Sequence, residues 1–422
     1  MRHSVIFIFI ASLSLGAFLP LRAAPIEDLK QKIEDKAKSI LELEAAIAEY
    51  TKEVRAANAE AKSLSGAVQV LDSTRKKLAA DIKLTEAKIA SAELKIEEIE
   101  GSMSDVEKEM LRNQAGIMTT LKTIDVSDEL SMVEAVFGYD SLSDFWGDRE
   151  SLYTVQASLS KSLAELKQNK EHLASLREKS LGQKKDLSLL ATEIGDRKKI
   201  VEQNKNEKNS LLTQTKNKES AYKKILDEKI ALREAFRKEL LQFESDLQIA
   251  IDPSKLPSAG KGVLSWPLET VRITQYFGKT EFATAHAALY SGNGHNGIDL
   301  GAPVGTKIFS AADGVVEGVG DTDLVCPSAS YGKWVLVRHG NGLSTLYAHL
   351  SVISVKAGDS VARGQTVGYS GNTGYSTGPH LHFTVYASEG VKILSRKSLV
   401  CGGTYIMPIA DLKAYLNPLS YI

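Results

Sequence analysis

The stretch "KWVLVRHGNGLSTLYAHL", Lys333 to Leu350, decides the fold of the C-terminal part of this 422-residue chain. Two runs rich in Val, Leu and other strand formers flank Asn341-Gly342, a dipeptide that readily takes the positive φ angles of a tight hairpin turn. The pattern predicts that Trp334 to Arg338 and Leu343 to Ala348 pair antiparallel. The surroundings share this grammar. "GVVEGVG", "ARGQTVGYSG" and "HLHFTVY" combine β-branched residues with glycine, so residues 263–394 read as a mainly antiparallel β domain.

Upstream the composition changes. No proline occurs between Pro25 and Pro253, and Lys, Glu, Ala, Leu and Ser dominate. Counting in sevens gives Ile26, Ile33, Ile40, Ile47, Val54, Ala61 and Val68, an interruption at Arg75, then Ile82, Ile89, Ile96, Met103, Met110 and Ile117. A second seam runs from Leu152 through Leu159, Leu166, Leu173, Leu187, Ile194 and Val201 to Tyr222, Phe236 and Phe243, weakened at Lys208, Thr215 and Lys229. Sustained heptads of this kind predict a coiled coil over 24–251. Each arm, if unbroken, is about 140 Å long at about 1.5 Å per residue. Two arms separated by a short non-helical piece fold back most simply as an antiparallel hairpin, although a dimer of chains satisfies the same pattern. The piece between them, 125–151, carries Phe137, Tyr139, Phe145 and Trp146. It is read either as a small helical cap burying those aromatics or as a docking surface. "DPSKLPSAGKG", 252–262, has the prolines and small residues of a linker.

Arg2 and His3, an apolar core from Val5 to Leu19, and the small residues Ala23 and Ala24 form the pattern of a secretory signal over 1–23. Export to the periplasm or outside the cell is therefore expected. No later stretch is apolar enough to predict a transmembrane segment in the mature chain. The formal net charge of −1 gives no reason to expect a nucleic-acid partner. Two cysteines, Cys326 and Cys401, fall in the last quarter, and in an oxidising compartment such a pair reads as a disulfide before a metal site, with free thiols as the remaining alternative. The tail, 395–422, is expected to pack on the β domain.

Six of the eight histidines lie in the β domain. In "HLHF" a strand places His380 and His382 on one face, because side chains alternate. "GHNGIDL" sets His295 four residues before Asp299, in a turn entering a strand. Each motif alone is equally the mark of ordinary turn or core residues. Together, two imidazoles and a carboxylate with a fourth position open are the makeup of a catalytic zinc site rather than a structural one. His349 in "LYAHL" ends the predicted hairpin. His339 and His286 read as structural, and His172 as a surface residue of the coiled coil.

In order and spacing, "GHNGIDL", "GAPVGTKIFSAADGVV", "STLYAHL" and "GNTGYSTGPHLHF" resemble the lysostaphin/LytM family of zinc peptidoglycan endopeptidases. The resemblance implies that Zn2+ is held by His295, Asp299 and His382, and that His349 and His380 act on the water and the transition state. The segment from Asp321 to Ser330 looks longer than the family's loop there. The helical arms, with "SLSDFWGDRESLYTVQ" between them, are similar to exported cell-division proteins of the EnvC, PcsB and CwlO type. That likeness implies a partner, the FtsEX membrane complex, and regulation by the coiled coil. It also leaves an alternative open: a non-hydrolytic, EnvC-like activator of a cell-wall amidase.

Overall fold

In the computed structural model of the chain, residues 26–59, 63–128, 142–245, 258–260, 262–278, 294–376 and 378–422 are described. The expected secretory signal, residues 129–141 of the tip with Phe137 and Tyr139, most of the linker and His286 lie outside them. Among the described residues, four helices, α1 (Ile26–Ala59), α2 (Leu64–Asp128), α3 (Leu142–Thr215) and α4 (Glu219–Ser245), precede a β domain. No helix among the described residues is long and apolar enough to cross a membrane. The described residues within 1–38 and 89–188 form one compact unit, and those within 39–88 and 189–422 another.

In the first unit Glu107 pairs with Arg177 at 3.0 Å and, one heptad back along α2 and one forward along α3, Glu100 pairs with Lys184 at 2.8 Å. The two helices are therefore antiparallel. Leu173 and Leu176 are buried while Leu163 and Leu181 stay exposed, as expected of a seam rather than a core. In the second unit the same direction holds, with Asp72 against Lys208 and Asp81 against Arg197.

One expectation is corrected. The first arm does not run unbroken from Ile26 to Ile117, because α1 ends at Ala59 and α2 starts at Leu64. Glu44 pairs with Lys88, and Ile33 lines a groove with Lys95 and Ile99, so α1 doubles back along α2. Ser63 caps the new helix, its Oγ accepting the Gly66 N–H at 3.0 Å, and the Glu219 carboxylate accepts the Leu64 N–H at 2.9 Å. The second arm breaks too. After Thr215, Lys216 and Asn217 take φ angles of 48° and 59°, a left-handed pair that ends α3 before α4.

The β domain contains β1 (Ile273–Gln275), β2 (Ile298–Gly301), β3 (Lys307–Phe309), β4 (Gly314–Asp321), β5 (Lys333–His339), β6 (Leu343–Ile353), β7 (Ser360–Val361), β8 (Thr366–Ser370), β9 (His380–Ala387), β10 (Val391–Lys397), β11 (Thr404–Ala410) and β12 (Tyr415–Leu416). The main sheet runs β1-β2-β9-β6-β5-β4-β7, with β8 bridging β3 and β6 and β12 added beside β9; β10 and β11 form a separate ribbon. Every pairing is antiparallel. The hairpin around Asn341-Gly342 forms in register, with Arg338 opposite Ser344 and Val337 opposite Thr345.

Strand alternation sorts the side chains into two cores. Val335, Val337, Tyr347, Leu381, Phe383 and Val385 fill one; Trp334, Leu336, Leu346, Tyr386, Tyr405 and Met407 fill the other. The second core is closed by α4, whose Phe236 is buried within it. Phe236 thus faces the sheet, not a helical seam. The Glu239 carboxylate accepts from Ser398 Oγ and Tyr405 Oη, and the Cys326–Cys401 disulfide joins the Asp321–Ser330 loop to the turn between β10 and β11. A third cluster packs Leu78 and Ile200 against Val352 and Tyr369, beside ion pairs linking Lys77, Asp81, Arg197, Glu193 and Lys307.

Replacing Leu78 by Ala is expected to cost about 2–5 kcal/mol, as for other buried leucines, read as a lower urea midpoint. Acid should loosen the same contact. Burial alone would raise the Glu193 carboxyl, but Lys307 and Arg197 outweigh it and hold it below its ordinary value. A depressed carboxylate contributes stability that is fully present above its unfolded value and is lost as pH falls through the folded one. Glu193→Gln should therefore flatten the fall in stability below about pH 4.5, measured by denaturation across pH.

Candidate metal centre

Asp299 on β2 stands directly opposite His382 on β9, and His382 stands directly opposite Ala348 on β6. Cross-strand partners share a face, and His380, two residues before His382, joins them there. Leu381 and Phe383 point the other way into the first core, so apolar burial aims the histidines. His295 arrives from the turn before β2, where its backbone exchanges hydrogen bonds with Gly278. Gly297 makes this approach possible: a Cβ there would lie 2.6 Å from the Phe383 carbonyl oxygen and 2.9 Å from the His382 ring.

Three ligand atoms converge. His382 Nδ1 lies 2.9 Å from Asp299 Oδ1 and 3.2 Å from His295 Nε2, and His295 Nε2 lies 3.4 Å from the same carboxylate oxygen. It is the one group of three or more such residues among the described residues whose ligand atoms all lie within 4.8 Å of one another.

Hydrogen bonds behind the rings set the tautomers. A carbonyl oxygen only accepts, so His295 Nδ1, 3.1 Å from the Tyr276 carbonyl, carries the proton and leaves a lone pair on Nε2. His382 turns Nε2 to Thr384 Oγ1 at 2.9 Å and Nδ1 to the centre. This donor set fits a divalent ion: two imidazole lone pairs, one carboxylate, and outer partners that orient the rings.

The two further histidines close the other side. His380 Nδ1 donates to the Gly378 carbonyl at 2.7 Å, and its Nε2 lies 3.6 Å from Asp299 Oδ1. His349 Nδ1 donates to the Thr373 carbonyl at 2.8 Å, and its ring centroid lies 4.7 Å from that of His380. His349 has a φ of 61°, unusual for a side chain of this size. The cause is topological: β6 pairs with β9 as far as Ala348, then with β8 from Leu350, and His349 sits at the fork.

Electrostatics follow from burial. Burial alone would raise Asp299, but His380, His295 and His382 hold its carboxyl well below the ordinary range. Burial, then the neighbouring His380 and His382, push His349 well down, so it stays neutral. Burial also lowers His382, against the pull of Asp299.

The five residues singled out from the sequence, His295, Asp299, His349, His380 and His382, are thus brought to one place. His339 braces its hairpin instead, between the Asp313 carbonyl and Thr345 Oγ1, and His172 is exposed on α3. Sequence reasoning missed Thr384, although its place two residues after His382 puts it on the same face. It also missed the carbonyls of Tyr276, Thr373 and Gly378, which no residue type announces.

Residues 293–393 match the model of peptidase family M23. The chain is 43% identical over 117 residues to the DD-carboxypeptidase/endopeptidase Mpg of Neisseria meningitidis, covering 28% of this chain and 25% of that one. It is 47% identical over 90 residues to the peptidoglycan DD-endopeptidase ShyA of Vibrio cholerae, covering 21% and 19%. It is 32% identical over 139 residues to the cell division protein DipM of Caulobacter vibrioides, covering 33% and 20%. The chain spans a quarter or less of the length of these relatives.

Thr384→Val keeps the shape but removes the hydroxyl behind His382. Outer-partner losses of this kind weaken metal affinity about 10- to 100-fold, and competition with a chromophoric chelator should show it.

Proposed function

We propose that this chain, bearing an M23 peptidase domain of the lysostaphin/LytM type, is an exported zinc metalloendopeptidase that hydrolyses peptide cross-links of peptidoglycan during cell division or wall remodelling. The observation that carries this reading is the convergence of His295 Nε2, Asp299 Oδ1 and His382 Nδ1, with each imidazole oriented from behind. The names of the relatives support the substrate class and, through the cell division protein, the setting.

His295, Asp299 and His382 would hold the ion. A bound zinc ion supplies Lewis acidity, easing the loss of a proton from water and polarising a peptide carbonyl. The remaining chemistry falls to the chain. His349 is neutral, with its proton on Nδ1, so Nε2 presents a lone pair that can take the proton of the attacking water. His380 is held by the Gly378 carbonyl with Nε2 turned to the centre, where in its protonated form it donates a hydrogen bond to the developing oxyanion and then a proton to the leaving amine. Asp299, kept ionised among three imidazoles, retains its own negative charge through these transfers.

The helical arm is assigned the regulatory part, with the FtsEX membrane complex as its partner, on its likeness to proteins of the EnvC type. Because Phe236 belongs to a core of the β domain, excising residues 263–422 would uncover that core. Substitutions on the arm are the cleaner probe of regulation.

The deciding experiment compares zinc content and muropeptide release by the full chain with those of its His382→Ala variant. Stoichiometric zinc and new peptide ends, both lost on substitution, are expected. Hydrolysis surviving in the variant would sink the enzyme reading. Zinc without hydrolysis in the parent chain would favour an activator of an amidase, tested next by adding amidases to the digest.

A further inference from the structure

The loop from Asp321 to Ser330 is tied into the site from behind. Its Asp323 carboxylate accepts the Ser328 N–H on one oxygen and the Gly374 N–H on the other, both at 2.7 Å. The Gly374 N–H and the Thr373 C=O belong to one planar peptide and point in opposite directions. On the far side of that peptide, the Thr373 carbonyl accepts the His349 Nδ1–H at 2.8 Å. One peptide unit is therefore clamped between Asp323 and His349.

The clamp has a job. Gly374 has a φ of 63°, and glycine populates φ of either sign about equally, so its own torsions do not fix which way this peptide faces. The two peptide orientations differ in what they offer His349. As drawn, a carbonyl faces Nδ1, which holds the proton there and leaves the lone pair on Nε2. Rotated, an N–H would face Nδ1, moving the proton to Nε2 and leaving nothing there to receive one. The Asp323 carboxylate can only accept, so it selects the first orientation.

The loop itself is anchored at its middle. Cys326 is fully buried and bonded to Cys401, which is exposed, and between them the disulfide spans 75 residues.

We propose that Asp323 is a positioning residue for His349, fixing its tautomer through the Thr373–Gly374 peptide, and that the Cys326–Cys401 disulfide holds the loop from which it acts. The proposal rests on His349 being the proton acceptor of the site described above.

The test uses the full chain with 15N-labelled histidine, the His349 signals being identified by their loss in His349→Gln. Long-range 15N–1H spectra should show the Nδ1–H form in the parent and a substantial Nε2–H population in Asp323→Ala. In the same variant kcat should fall about 10- to 100-fold, with KM and zinc content unchanged. Asp323→Asn, which keeps one accepting oxygen, should fall between, and it decides the matter if the alanine variant does not fold. Reducing the parent with a phosphine should move the His349 signals in the same direction. A His349 that stays fully Nδ1–H in both variants, with kcat within twofold, overturns the role of Asp323. Reduction without effect on the spectra overturns the role of the disulfide. A parent chain that hydrolyses nothing refutes the enzymatic reading, while the spectra still decide the positioning.

Discussion

The pairing of Asp299 with His382 across β2 and β9 is the constraint on which the site depends. A strand has two faces and a period of two, so a slip of one residue would send His380, His382 and Thr384 into the core and turn Leu381, Phe383 and Val385 toward the ligands. What forbids the slip is not the metal chemistry. It is the burial of Leu381, Phe383 and Val385, all fully removed from solvent, on the opposite face of the strand. At about 1.5–3 kcal/mol for each such side chain, the apolar face outweighs the modest hydrogen bonds among the imidazoles. The hydrophobic core is the aiming device of the polar site.

Much of this could be read from the residues. Alternation in "HLHFTVY" reveals the shared face of His380 and His382, and Asn341-Gly342 marks the hairpin that carries His349. Other features left no such trace. The end of α1 at Ala59 is hidden because the heptad count stays in phase past it, so Val54 and Val68 read as one seam although they lie on two helices that run back along one another. Phe236 fits the heptad count as well, yet its partners lie in the sheet, because periodicity says which face of a helix is apolar and not what covers it. The groups that set the imidazole tautomers are backbone carbonyls, which every residue possesses. Their role arises from where the chain passes, as with the fork at His349, where β6 changes partner.

The helices and the β domain meet through two different kinds of contact. Around Phe236 the junction is a shared apolar core, tolerant of small shifts. Around Asp81, Arg197 and Glu193 a buried set of charges flanks the smaller apolar contact of Leu78 and Ile200 with Val352 and Tyr369, with Arg197 lying 5.8 Å over the Tyr369 ring. Charges of this kind add little net stability over an apolar contact of the same volume, but they penalise any misalignment that leaves one unpaired. The apolar contacts join the helices to the sheet, and the charged set specifies their register upon it.

The sequence distance between the candidate ligands has a consequence for how the protein comes into being. Asp299 and His382 are 83 residues apart, and β9 is flanked in the finished sheet by β2, β6 and the late strand β12. Pairings this remote must wait for the intervening chain to be made and its loops to close. A chain still short of β9 holds His295 and Asp299 but lacks His380, His382 and the β9 side of the fork at His349. The three-residue cluster is therefore complete only once β9 has been made, and a shorter chain carries at most the His295 and Asp299 side of it.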